Sequence, residues 1–177
     1  PRVGDAVVTL RVGPSAQGGV DTVRVAGRDP SGLLQRIATR ACAVQDVARQ
    51  VELAFADRWR LERTADGTLA HGRLRARLVA GPARDITQVA GAIMYGLRAD
   101  EGGGDVPDPL AALTPEQPEA SVPVVVWAAR CDAHTKGEIK KPYEFLVWVR
   151  GPDGEELAVT PGVGEPTRLA LRHVCAF

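Results

Sequence analysis

The chain has 177 residues, 45% of them hydrophobic and 25% charged, with a formal net charge of zero. That length suffices for one globular domain with its own core, or for two small ones. A neutral balance removes the global field that draws a chain to nucleic acid or a membrane surface, and no apolar run approaches the roughly 20 residues of a membrane span.

In chain order, AVVTLRV (6–12) and DTVRVAG (21–27) alternate apolar and polar residues on either side of the loop GPSAQGG (13–19), which predicts a β-hairpin. Asp29-Pro30 then supplies an N-cap and a first-turn proline for a helix over about 30–56. Its stripe is Leu34, Ile37, Ala41, Val44, Ala48, Val51 and Phe55, spaced by threes and fours. Packed across a sheet, that stripe is core; paired with a second copy, it is the seam of a homo-oligomer. A break near Gln45-Asp46 would divide the helix in two.

Asp66-Gly67 marks a hairpin turn, and HGRLRARLV (71–79) follows as a strand. Period two sets Arg73, Arg75 and Arg77 on one face and Leu74, Ala76 and Leu78 on the other. DITQVAGAIMYGL (85–97) predicts a second helix with Ile86, Val89, Ala90, Ile93 and Leu97 inward. Four strands are then expected: SVPVVVWAARC, YEFLVWVR, EELAVTP after the turn GPDG, and TRLALRHVCAF, with Trp127 and Trp148 as cross-strand core aromatics. The fold class is α+β: an antiparallel sheet of six or more strands, packed on one face by two or three helices.

The zero balance conceals a segregation of charge. Residues 1–99 hold fifteen Arg against nine acids, residues 100–121 hold six acids and no base, and residues 122–177 hold seven of each. This gives a basic half at 1–99, an acidic Gly/Pro-rich linker or mobile loop at 100–121, and a β-rich half at 122–177 that can share one sheet with the first. The wealth of Ala, Arg, Val and Gly and the scarcity of Lys, Asn and Met fit a GC-rich, actinobacterial genome. The start PRVGDAVV lacks a leader pattern, and three scattered cysteines do not make a disulfide framework. Both favour a cytoplasmic protein with reduced thiols.

All three lysines, Lys136, Lys140 and Lys141, fall in one loop, CDAHTKGEIKKPYEF (131–145). With Arg130 and Tyr143 they form one cationic surface; Arg73, Arg75 and Arg77 form another. Both suit an anionic ligand, a partner protein or, with less support from the aromatics, nucleic acid. The same loop offers a metal alternative. Cys131, His134, His173 and Cys175 are a Cys2His2 set of the kind zinc accepts, although in a simple four-strand meander their ends would lie on the order of 25–30 Å apart. Glu138-Ile139-Lys140, with Asp132 upstream, resembles the E-x-K element of restriction-enzyme-like metal nucleases, which implies metal-assisted hydrolysis around Cys131, Asp132, His134 and Glu138. Here that triplet sits in a polar loop instead of on an apolar strand.

No nucleophile elbow, phosphate-binding loop, dinucleotide fingerprint or metalloprotease helix occurs. Cys131 or Cys175 with His134, His173 or His71 lacks a third orienting group for nucleophilic catalysis. The expectation is therefore a non-catalytic binding or regulatory domain with no cofactor, acting through the Lys136–Tyr143 loop and the Arg73–Arg77 face.

Overall fold

The computed structural model describes residues 5–12, 21–100, 102 and 106–175. The predicted loop at 13–19 and the last two residues of the final predicted strand lie outside the described residues. Two compact units divide the chain after Ala43.

In the first unit, β1 (Asp5–Val12) and β2 (Asp21–Arg28) pair as an antiparallel hairpin, with Asp5 opposite Arg28 and Val12 opposite Asp21. The hairpin expected from the alternating runs is present. Helix α1 (Leu33–Gln50) begins in this unit. The Asp29 carboxylate caps it, accepting the backbone N–H groups of Leu33 at 3.0 Å and Gln35 at 3.2 Å. Leu33, Leu34 and Ile37 are exposed.

In the second unit α1 runs on to Gln50 without a break at Gln45-Asp46, and strand β3 (Val51–Phe55) follows at once. The predicted helix to residue 56 was therefore too long. Val51 and Phe55 fit a helical stripe, but with Leu53 they also fit a strand of period two, and these three are buried while Glu52 and Ala54 face out. Ordering Val51 into a sheet also suits its branched side chain.

Five strands form one antiparallel sheet. Its centre is β5 (Gly67–Leu78), flanked on one edge by β3 and β4 (Arg60–Thr64) and on the other by β9 (Glu119–Ala128), beyond which lies β7 (Tyr95–Ala99). A second sheet has the order β11 (Glu156–Val159), β10 (Leu146–Arg150), β6 (Arg84–Ala90), β8 (Ala111–Leu113). The antiparallel α+β class holds, with three helices among the described residues: α1, α2 (Ala133–Glu138) and α3 (Glu165–Val174). The single sheet of six or more strands does not; besides the β1–β2 hairpin, the described strands divide into sheets of five and four. Both sheets draw strands from either side of residues 100–121.

Two predicted elements change type. The helix expected over 85–98 is β6, a turn and β7. Its apolar residues fit both periods, and Gly91 decides between them. A Cβ there would overlap the Tyr95 carbonyl oxygen and crowd the Gly96 Cα, so only glycine allows the chain to fold back so tightly. Conversely, the expected strand TRLALRHVCAF is helix α3. Thr167, Ala170, Leu171 and Val174 are its buried face, at helical spacing. Pro166 in the first turn, Glu165 at the positive end, and Arg172 and His173 at the negative end all favour the helix.

The core joins Leu74, Ala76 and Leu78 of β5, Val122, Val124 and Val126 of β9, and Ile86, Val147 and Val149 of the second sheet. Phe145 is fully buried, with its ring centroid 5.3 Å from Phe55 and 6.2 Å from Tyr95. Of the two tryptophans expected in the core, Trp127 lies at the surface, its ring covering Gly96. Among the described residues no helix is long and apolar enough to cross a membrane.

Candidate functional site: an arginine trough on the outer face of β5

Antiparallel register converts the alternation of β5 into rows across the sheet. Arg77 stands between Glu52 and Glu119, and Arg75 between Ala54 and Ser121. Arg73 is opposite Pro123, with Ala56 bonded to its carbonyl on the other side. The inward residues Leu74, Ala76 and Leu78 anchor the strand, so the three guanidinium groups project to solvent from a rigid base. The predicted Arg face is therefore present. Small neighbours make it a trough: Ala54, Ala56, Ala120 and Ser121 line a hollow of about 860 Å³ with Arg58, Arg73, Arg75 and Arg77.

The rows differ in how their charges are met. Arg77 Nη1 lies 3.7 Å from Glu52 and its Nε 3.9 Å from Glu119. Arg73 donates from Nε to the Ser121 hydroxyl at 2.7 Å and from Nη2 to the Ser121 carbonyl at 3.2 Å. Among the described residues, the Arg75 and Arg58 side chains make no hydrogen bond or ion pair. Arg58 lines the hollow from the loop between β3 and β4, next in sequence to Trp59. That ring lies over Gly72, where a Cβ would come within 2.6 Å of it, and its Nε1 donates to Thr167 of α3 at 3.2 Å.

A smaller hollow of about 390 Å³ continues the trough along β5 and shares Arg58 and Arg73 with it. His71 borders it. Its Nδ1 lies 2.8 Å from Asp100, and Glu62 lies 3.2 Å from its buried Nε2 without hydrogen-bond alignment. His71 thus bridges β4 to the end of β7 across β5. The hydrogen bond to His71 holds the Asp100 carboxyl below the ordinary carboxylate range, against the opposing effect of burial.

The lysine loop is organised differently. Asp132 is the N-cap of α2, accepting from the Thr135 N–H at 2.9 Å and the Thr135 hydroxyl at 2.8 Å. Those bonds lower its carboxyl below the ordinary range. Lys136 donates to the Cys175 carbonyl at 3.1 Å, and Lys141 pairs with Glu144 at 3.1 Å. Lys140 is exposed. The Tyr143 ring stacks on Tyr95 at 6.0 Å, with Arg168 5.8 Å from its centroid, so it serves packing within the fold. Arg130 follows the far end of β9. At about 3.3 Å per residue, Ser121 and Ala128 are roughly 23 Å apart along that strand, so the lysine loop and the trough are separate surfaces.

Cys131 and Cys175 form a disulfide, with Cα atoms 5.5 Å apart. The expectation of reduced, scattered thiols fails because the last element is a helix instead of a fourth meander strand, and its C-terminal end returns to the start of α2. This bond uses both sulfurs of the Cys2His2 set. His134 is exposed and pairs with Glu138 on the same helix at 3.3 Å, and His173 is exposed on α3. Among the described residues no group of three or more His, Cys, Asp or Glu side chains is placed to hold a metal. Asp132 is occupied as a cap and Glu138 faces solvent, so the residues of the E-x-K reading do not converge.

No family model matches the chain, and no curated protein and no solved structure is similar to it.

The lowered carboxyls of Asp100 and Asp132 contribute to an acid limit of the fold. Each favours the folded state above its unfolded pKa, near 4, and that contribution disappears as pH falls through the lower folded value. Thermal melts from about pH 6 to pH 2 should show the midpoint falling below pH 4. Asp100→Asn should be less stable at pH 6 and show a shallower fall. An unchanged slope in that variant would dissociate Asp100 from the acid limit.

Proposed function

We propose that the protein is a non-catalytic binding domain that receives an anionic ligand, or an acidic surface of a partner protein, in the trough of Arg58, Arg73 and Arg75. The observation that carries this reading is the pair Arg75 and Arg58. Arg75 stands on the sheet face beside small residues, Arg58 lines the same hollow from the loop between β3 and β4, and neither has a partner of its own among the described residues. A guanidinium offers five donors in a planar fork suited to carboxylate and phosphate. An Arg that the fold leaves unmatched keeps them for a ligand. The lysine loop supports the reading less, because Lys136 and Lys141 already contact groups of their own chain.

The test is a binding panel at low and physiological salt with inorganic pyrophosphate, a glutamate-rich peptide and a thymidine 20-mer. The wild type should bind at least one probe, more weakly as salt rises. Arg75→Glu should weaken that binding by roughly tenfold or more, the scale of a hydrogen bond to a charged group. It should unfold at nearly the wild-type temperature, since exposed substitutions change stability by only about 0.5 kcal/mol. Binding that survives Arg75→Glu would place the site elsewhere.

A further inference from the structure

The outward residues of β5 run Arg77, Arg75, Arg73, His71, each step two residues and so about 6.6 Å. Carboxylates outnumber cations at both ends of this line: Glu52 and Glu119 flank Arg77, while Asp100 and Glu62 flank His71, with Glu62 also paired to Arg60 at 2.9 Å. The middle is open. Ser121, opposite Arg75, accepts from Arg73, and Arg58 stands at the rim. Asp57 is the single carboxylate lining that stretch. Three guanidinium groups against one carboxylate leave a surplus of two positive charges, bounded fore and aft by negative groups.

From this pattern we infer that the trough selects a compact multivalent oxyanion of the phosphate type, such as a terminal phosphate or pyrophosphate, and disfavours extended polyanions. The inference rests on the trough being the binding site proposed above. A tetrahedral oxyanion accepts paired N–H groups from guanidinium forks, and the Ser121 hydroxyl lies beside them. A long polyanion centred on Arg75 would carry its next charges towards Glu119 and Glu52 on one side and Asp100 on the other, where like charges oppose it. Nor does the trough present a stacking ring for a base, because the Trp59 ring is packed over Gly72.

Titration calorimetry at low salt separates the outcomes, with inorganic pyrophosphate and a thymidine 20-mer as probes. Pyrophosphate should bind one to one. Arg75→Ala should weaken it by roughly tenfold or more, whereas Arg77→Ala, which removes an already matched charge, should change it by less than about threefold. The 20-mer should bind no more tightly than pyrophosphate. Its affinity should rise in a Glu52→Gln/Glu119→Gln variant, which keeps every Arg. A 20-mer that binds more tightly than pyrophosphate, and depends on Arg75, would overturn the selection for a compact anion while leaving the trough as the binding site. Equal losses in Arg75→Ala and Arg77→Ala would also overturn it. If neither probe nor the acidic peptide binds, both the selection and the trough fall.

Discussion

Protein isolated without reductant should titrate as one reactive thiol per chain, Cys42, and as three after reduction in denaturant. Cys42 is exposed and free, while Cys131 and Cys175 are joined. The bond closes a loop with a sequence separation of 44 residues. In the chain-entropy description, a loop of that length removes roughly 4 kcal/mol of freedom from the unfolded state. It also ties the C-cap of α3 to the residue before the N-cap of α2, where Lys136 adds its bond to the Cys175 carbonyl. Cys131→Ala/Cys175→Ala should therefore lose on the order of 3–4 kcal/mol in denaturant unfolding, and reductant should destabilise the wild type but not the variant. Three free thiols in the native, unreduced protein would contradict the clasp. Because disulfides persist in oxidising surroundings, the cysteines no longer support a cytosol.

Phe145→Ala should be the most damaging single substitution in the core, with a loss of about 3–5 kcal/mol. The side chain is fully buried. It meets Phe55 of β3 edge to face and lies beside Tyr95 of β7, while its own chain leads directly into β10 of the other sheet. Truncation removes apolar contact with two strands of the five-stranded sheet and leaves a cavity that rigid strands cannot close. Urea unfolding should show the midpoint fall with little change of slope. Phe145→Leu, which restores most of the volume, should recover more than half of the loss. An alanine variant within 1 kcal/mol of wild type would mean that this aromatic junction is not a core contact.

The Arg face was legible because it needs only one number, the period of a strand. HGRLRARLV puts every second residue on one side whatever its neighbours are, and β5 obeys it. The glycine-bounded turn GPDG and the hairpin after Asp66 depended on equally local chemistry. What makes the face a trough with unevenly matched charges was not legible. That Arg77 meets Glu52 and Glu119 while Arg75 meets Ala54 and Ser121 depends on the register of three strands spread over more than sixty residues, which a single sequence does not encode locally. Arg58 and Asp100 were missed for the same reason.

The errors of element type have a common origin. Residues 85–98 and 167–177 carry apolar residues at spacings that satisfy both a helix and a strand. In each case the punctuation carried the answer: Gly91 and Gly96 against a helix, Glu165-Pro166 for one. The disulfide followed from that second error. With α3 drawn as an antiparallel strand, Cys131 and Cys175 seemed far apart; as a helix, the chain brings them to a Cα separation of 5.5 Å.

The central claim is that Arg75 is kept unmatched for a ligand, and the most direct test watches its guanidinium. In protein labelled with nitrogen-15 at arginine, the side-chain Nε–H signals of Arg73, Arg75 and Arg77 can be followed while inorganic pyrophosphate is added. The Arg75 and Arg73 signals should shift together and saturate, with the Arg77 signal almost still between its two glutamates. A titration that leaves Arg75 unmoved while Arg130 responds would contradict the account and return the binding surface to the lysine loop.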